Sequence, residues 1–242
     1  MRIGADIGQM ALRHGWFDTG VGYYSAQSLK IWQGAATYDI PQAARTKSGL
    51  DFNHLSFSKL RLQVDTFSYD SVGRLRAFIP QLKLKEKSGL QLTRSRIQVL
   101  MDSVGLRLPE FNLATPWSSI KGNVTMDFKA LSPGKGGKLK THLQILLGRQ
   151  DIKQLVIPML PGDIQKLIPP ASLRADIRMQ GNIDHMQLLS CRIQMPEMLT
   201  LNASGNMAEI LSPNRMRAKA KLDLKLQRTD WANRMLKQLG AG

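Results

Sequence analysis

Apolar and polar residues alternate without error from Met216 to Gln227 (MRAKAKLDLKLQ). A period of two places Met216, Ala218, Ala220, Leu222, Leu224 and Leu226 on one face of a strand and Arg217, Lys219, Lys221, Asp223, Lys225 and Gln227 on the other. At about 3.3 Å per residue such a strand reaches roughly 40 Å, about twice the usual length. Something long and apolar must cover the greasy face, so asking what this protein does becomes asking what covers that face.

The same pattern fills the chain from Leu50 to Leu147, broken by turn residues and not by helical periodicity. Leu60, Leu62 and Val64 alternate with Arg61, Gln63 and Asp65, and Leu75, Ala77 and Ile79 continue the series. Pro80 shifts the phase, as at a bulge or a sheet edge, before Leu82 and Leu84 resume it. Leu90 and Leu92, then Val104, Leu106 and Leu108, then Phe111 and Leu113, then Val124, Met126 and Phe128 extend one antiparallel meander with one apolar face. Strand-like text also opens the chain, from Ala11 to Phe17 and from Gly22 to Trp32.

Asp151 reads as the N-cap of a first helical turn that Pro158 and Pro161 break, and Gly162 to Ile168 adds another turn before Pro169. Two jobs suit this insert: a cap over the open end of an apolar interior, or a connection between two sheet halves. After Pro170 the strands return, and Gly181-Asn182-Ile183 and Gly205-Asn206-Met207 share a pattern spaced 24 residues apart, with Gly122-Asn123-Val124 as a fainter echo. This reads as one hairpin reused. Thr229 then caps a closing amphipathic helix with Trp231, Met235 and Leu239 on one stripe. The expected organisation is a first β-meander over 1–147, a short helical insert over 148–170, a second β-section over 171–228 and a C-terminal amphipathic helix over 229–242.

Composition narrows the function. A 43% hydrophobic chain of 242 residues has ample material for a folded structure. Its 34 lysines and arginines against 18 acids, a formal charge of +16, favour anionic partners such as lipid headgroups, lipopolysaccharide or nucleic acid. Nucleic acid is the weaker of these, because Phe52, Phe57, Phe67, Phe78, Phe111 and Phe128 fall on the apolar alternation and read as interior residues, not base-stacking platforms. The single cysteine, Cys191, excludes an internal disulfide and reads as a buried structural thiol.

Chemistry is conspicuously sparse. His14, His54, His142 and His185 lie far apart in the chain, none at i, i+4 to another or beside a cysteine pair, so no metal site is expected. The glycines of Ser132 to Lys138 lack the spacing of a P-loop, since Leu139 follows Lys138 where a Ser or Thr is needed. No nucleophile elbow, zinc-protease helix or nucleotide fingerprint is present, and Asp65, Asp70, Asp102, Glu110 and Asp127 occupy polar strand or turn positions. The expectation is a non-enzyme without cofactor. No window of about 18 apolar residues marks a membrane-spanning helix, and the start lacks a signal peptide. The chain opens straight into strand-like text, so it reads as an internal piece of a longer protein.

The residues assembled so far resemble the AsmA-like/TamB family of the Gram-negative envelope, and within it the large translocation and assembly module chains. The resemblance runs from about Ser48 to Leu239. It rests on Ser48 to Leu55 (SGLDFNHL), Leu82 to Leu90 (LKLKEKSGL), Leu106 to Pro116 (LRLPEFNLATP), the helical pair between Asp151 and Ile168, and Leu173 to Ile183 (LRADIRMQGNI). The resemblance implies a mainly β fold in which an elongated antiparallel sheet curls into a taco-like hydrophobic groove. It further implies a parent tethered to the inner membrane, a periplasmic location, phospholipid transfer to the outer membrane, and outer-membrane protein assembly with an outer-membrane barrel partner.

Two functional expectations follow. In the first, the apolar strand face lines a groove for phospholipid acyl chains. Its lining residues are Leu60, Leu62, Val64, Leu75, Ala77, Ile79, Leu106, Leu108, Val124, Met126, Leu222, Leu224 and Leu226. In the second, the sheet edges pair with β-strands of client outer-membrane proteins. A sealed sandwich core is the plainer arrangement of the same residues.

Overall fold

The computed structural model describes residues 1–46, 49–160, 162–165, 171–210, 216–228 and 233. Within them the chain is mainly β and forms one open antiparallel sheet of fourteen strands. The strands are β1 (Arg2–Asp6), β2 (Gln9–Asp18), β3 (Tyr23–Asp39), β4 (His54–Tyr69), β5 (Leu75–Glu86), β6 (Gln91–Leu92), β7 (Arg94–Met101), β8 (Gly105–Ala114), β9 (Ser119–Asp127), β10 (Leu139–Leu147), β11 (Leu173–Gly181), β12 (His185–Met195), β13 (Leu199–Ala208) and β14 (Arg217–Leu226). Sequence neighbours pair almost throughout, as a meander requires. β1 and β2 lie end to end along β3, and β6 and β7 lie end to end along β5.

The helical insert does not divide the sheet. β10 and β11 pair over nine residues, from Leu139 opposite Gly181 to Leu147 opposite Leu173, so the two β-sections are continuous. Between them lie helical turns at Arg149–Asp151, Ile152–Val156 and Ile157–Met159, with a further turn at Gly162–Gln165. Asp151 is not the N-cap; Gly148 holds that position. The Asp151 carboxylate is buried and accepts a hydrogen bond from Thr115 Oγ1, while the Gly148 amide donates to Ser118 Oγ at 3.0 Å. These bonds fasten the insert to the turn between β8 and β9.

Pro80 sits at a register shift, where Ile79 and Pro80 together oppose Val64 of β4, which is the expected bulge. Nearby, the Leu82 amide donates to Ser95 Oγ in place of a ladder bond. Gln33, Lys59 and Thr66, at φ of 56°, 54° and 52°, mark further register shifts in β3 and β4. Left-handed backbone at a bulge bends its strand and increases the local twist, so the curl of this sector is written into those positions.

Two sequence patterns read differently in three dimensions. Gly181 ends β11 ahead of a turn, whereas Gly122 and Gly205 lie inside strands, so the three Gly-Asn pairs are not one reused hairpin. Gly205 instead permits close backbone approach, since a Cβ there would lie 2.2 Å from the Lys219 carbonyl oxygen. Val104 lies in a turn and Phe128 opens a 3-10 turn, Phe128–Leu131; neither is a strand residue. Phe52 and Phe128 are exposed, and Phe78 lies on the polar face beneath Arg96, so three of the six phenylalanines assigned to the interior are elsewhere. The C-terminal helix expected over 229–242 lies outside the described residues, apart from Asn233.

The sheet has no second layer among the described residues. A compact monomer of 27.1 kDa exposes about 10,800 Å², whereas this chain exposes 15779 Å². β1, β2 and β14 are exposed on both faces over nearly their whole length. Along β10 the apolar-face residues are buried or half-buried while Lys140, Gln144 and Leu146 on the other face are exposed, consistent with a sheet curled toward its apolar side.

Buried polar groups gather where β4 begins and β5 ends. His54 is buried against Asp51, its Nδ1 3.1 Å from Oδ2, and its Nε2 lies 3.8 Å from Asp39 Oδ1. Burial pushes the Asp51 carboxyl up, but amides of Thr46 and Asn53 and the His54 ring hold it at about 2, below its ordinary 3.8. Glu86 is fully buried; there too burial is outweighed, by bonds from Ser88, Ser56 and Lys87, and the carboxyl is lowered. A carboxyl lowered in the folded state stabilises fully above its unfolded value and loses that effect as pH falls through its folded value. Acid titration should therefore loosen this end of the sheet between about pH 4 and pH 2, seen as accelerated amide exchange at Ser56 and Ser88 before the far strands respond.

Candidate functional site

The candidate site is the apolar face itself. Directly opposed residues of an antiparallel pair share a face, so the register shows which side chains meet. One row runs Phe17, Tyr24, Tyr69, Leu75, Met101, Leu106, Met126, Leu139, Gly181, Met186, Met207 and Ala218, each residue opposite the next. It crosses twelve strands from β2 to β14 without a charged residue, about 53 Å at 4.8 Å per strand. A second row runs Ile79, Ile97, Phe111, Gly122, Leu143, Ile177, Cys191, Ala203 and Leu222. Period-two patterning along each strand thus becomes a continuous apolar surface across them.

All thirteen residues expected to line a groove lie on this face. Leu60, Leu62 and Val64 stand opposite Gly34, Ile31 and Leu29. Leu75, Ala77 and Ile79 face Met101, Val99 and Ile97. Leu106 and Leu108 face Met126 and Val124, and Leu222, Leu224 and Leu226 face Ala203, Leu201 and Leu199. The register joins them into one surface but not one environment. Val64 is 7% exposed, whereas Leu222, Leu224 and Leu226 at the open edge are 65%, 54% and 40% exposed.

The face also includes residues the sequence reading left out, chiefly from β10 to β13: Leu143, Ile145, Ile177, Met179, Met186, Ile193 and Leu201. The alternation in Leu139 to Leu147 and Leu173 to Met179 carried the signal. Methionines recur here, at Met101, Met126, Met179, Met186, Met195 and Met207. Unbranched thioether side chains repack around irregular apolar shapes more readily than branched ones.

The hydroxyls of Thr141 and Ser95 lie on this face between its apolar side chains, and both are hydrogen-bonded. Thr141 Oγ1 donates to the Asn123 carbonyl at 2.9 Å, and Ser95 Oγ accepts from Leu82. Cys191 sits half-buried in the second row, where burial raises its thiol pKa, which disfavours the reactive thiolate. Across the sheet, the opposite face is polar and concave in places, as twist allows. One hollow of about 680 Å³ there is bordered by Lys140, Gln180, Gln187, Asn206 and Lys219.

An open face and a sealed core respond differently to truncation. Leu224→Ala should change unfolding free energy by less than about 0.5 kcal/mol, because the side chain is already in water. Met186→Ala, at a position 6% exposed, should cost about 2 kcal/mol or more. Urea denaturation of the two variants checks this, and equal, large losses would indicate that β14 is packed in solution.

No family model, curated protein or solved structure matches this chain.

Proposed function

We propose that the apolar face holds the acyl chains of phospholipids, and that the chain is a segment of an envelope-biogenesis protein carrying phospholipid between inner and outer membranes through the periplasm. One observation carries the reading: an uncharged row of side chains crosses twelve strands and is left open, with no covering layer among the described residues. Exposed apolar surface of that extent marks an interaction site. The resemblance to the AsmA-like/TamB family supports the same assignment.

The physics of transfer suits such a surface. Moving a lipid through water exposes its chains at about 0.8 kcal/mol per CH₂, tens of kcal/mol for two tails. A greasy path from bilayer to bilayer removes most of that barrier without chemistry, so the proposed role is non-catalytic. The headgroup stays in water, and the methionine-rich stretch adapts to chains of different shape. No helix among the described residues is long and apolar enough to cross a membrane, and the proposed tether belongs to the parent protein.

A second reading rests on β14, a ten-residue strand exposed on both faces at the edge of the sheet. An open edge offers a row of backbone donors and acceptors to a client strand of an outer-membrane protein. Photocrosslinking from Lys221 that captures unfolded barrel proteins, with no lipid bound to the chain, would favour this scaffold role.

Native mass spectrometry with lipid extraction tests the first reading on protein released gently from Gram-negative cells. The expected result is co-purifying phospholipid that is lost in Leu224→Asp while circular dichroism stays unchanged. Lipid-free wild-type protein, or a variant that keeps its lipid, overturns the groove.

A further inference from the structure

The polar face carries a band of cations that keeping the sheet in solution does not require. Lys59, Arg61, Lys83 and Lys85 border a hollow of about 310 Å³. Lys83 also borders an adjoining hollow of about 480 Å³, together with Arg94, Arg96 and Lys121. No carboxylate among the described residues borders either hollow. Among the described residues, Glu110 makes an ion pair with the band, 3.9 Å from the Arg96 guanidinium. Elsewhere on this face acids sit among the bases: Asp176 lies between His142 and Arg178, and Asp223 between Lys221 and Lys225.

The register makes the concentration unfavourable for folding. Arg61 stands directly opposite Lys83 on the neighbouring strand, where like charges destabilise a sheet. A local rule broken without a structural gain points to function. We propose that this band docks the sheet on an anionic phospholipid bilayer through headgroup phosphates, with the apolar face turned away from the contact.

Three observations choose that partner. The band is two-dimensional: it covers about 19 Å of sheet from β4 to β9 and two positions along each of β4, β5 and β7, matching an array of phosphates and not a single file. Its cations are long, mostly exposed side chains that line the two hollows. It lacks the stacking platforms of a single-strand nucleic-acid binder, since the face of Phe78 is occupied by the Arg96 guanidinium, 4.8 Å from the ring centroid. Docking of this kind requires no lipid in the apolar face, so it stands apart from the groove reading.

Cosedimentation of the full chain with phosphatidylcholine vesicles, with and without phosphatidylglycerol, tests the docking. Each basic residue near an anionic leaflet strengthens binding by roughly fivefold, and salt weakens it. Wild-type protein is expected to bind only the anionic vesicles and to dissociate in high salt. Arg61→Glu should weaken binding at least fivefold while raising Tm, because it sets opposite charges across β4 and β5. The triple variant Arg61→Glu, Lys83→Glu, Arg94→Glu should weaken it by about 100-fold or more. Leu224→Asp, which disables the apolar face, should bind vesicles as wild type does, so a failed groove and a failed dock are told apart. Unchanged binding by the triple variant, a lowered Tm in Arg61→Glu, or a wild-type preference for poly-glutamate or single-stranded DNA over anionic vesicles overturns the proposal.

Discussion

Everything in this structure depends on backbone pairing that keeps register from strand to strand. Because side chains alternate with a period of two, a slip of one residue anywhere would move the apolar set to the polar face. Consecutive pairings from β8 to β14 hold that register across seven strands, with one shift each in the β8–β9 and β11–β12 pairs and one in β12–β13. Where shifts occur in β3 and β4, left-handed residues absorb the extra position and restore the phase. The bulges therefore bend the sheet and keep its apolar face single at once.

That constraint explains why an open sheet holds together with so little buried interior. Only ten apolar residues are buried among those described, and several are alanines, so hydrogen-bonded ladders and half-buried cross-strand contacts share the stabilisation. Polar groups are buried chiefly at one end, where Asp51 bonds the His54 ring and Glu86 accepts from the amides of Ser56 and Ser88. The helical insert meets the sheet at that end as well, through Thr115 and Ser118. The opposite design applies at β14, where nothing described shields Leu222 and Leu224. The apolar surface thus has one polar, well-fastened end and one exposed edge, the edge at which the proposed groove is most open.

The two faces divide the labour in the proposed reading. The apolar side carries no charged residue along its first row, so an acyl chain sliding across it meets no charged barrier. The polar side is uneven, with cations concentrated between β4 and β9 and interleaved with acids toward β14. An uncharged path permits movement and unevenly placed charge permits orientation.

Much of this was legible in the residues. Period-two alternation predicted strands, a meander and a single apolar face, and all thirteen proposed lining residues share that face because alternation is a local property that pairing preserves. Local text misled where one residue type serves several geometries. Asp151 resembles an N-cap, yet its carboxylate is drawn to Thr115 from another turn. Phe78 looks apolar, yet its place between Ala77 and Ile79 sets it on the polar side under Arg96. By itself, then, the sequence determined the element type and which residues are chemically able to form the surface, since both follow from periodicity. Only the tertiary structure decided that the strands form one open sheet instead of a sealed sandwich, and that Arg61 meets Lys83, because strand partners and layers are set by contacts between residues distant in the chain.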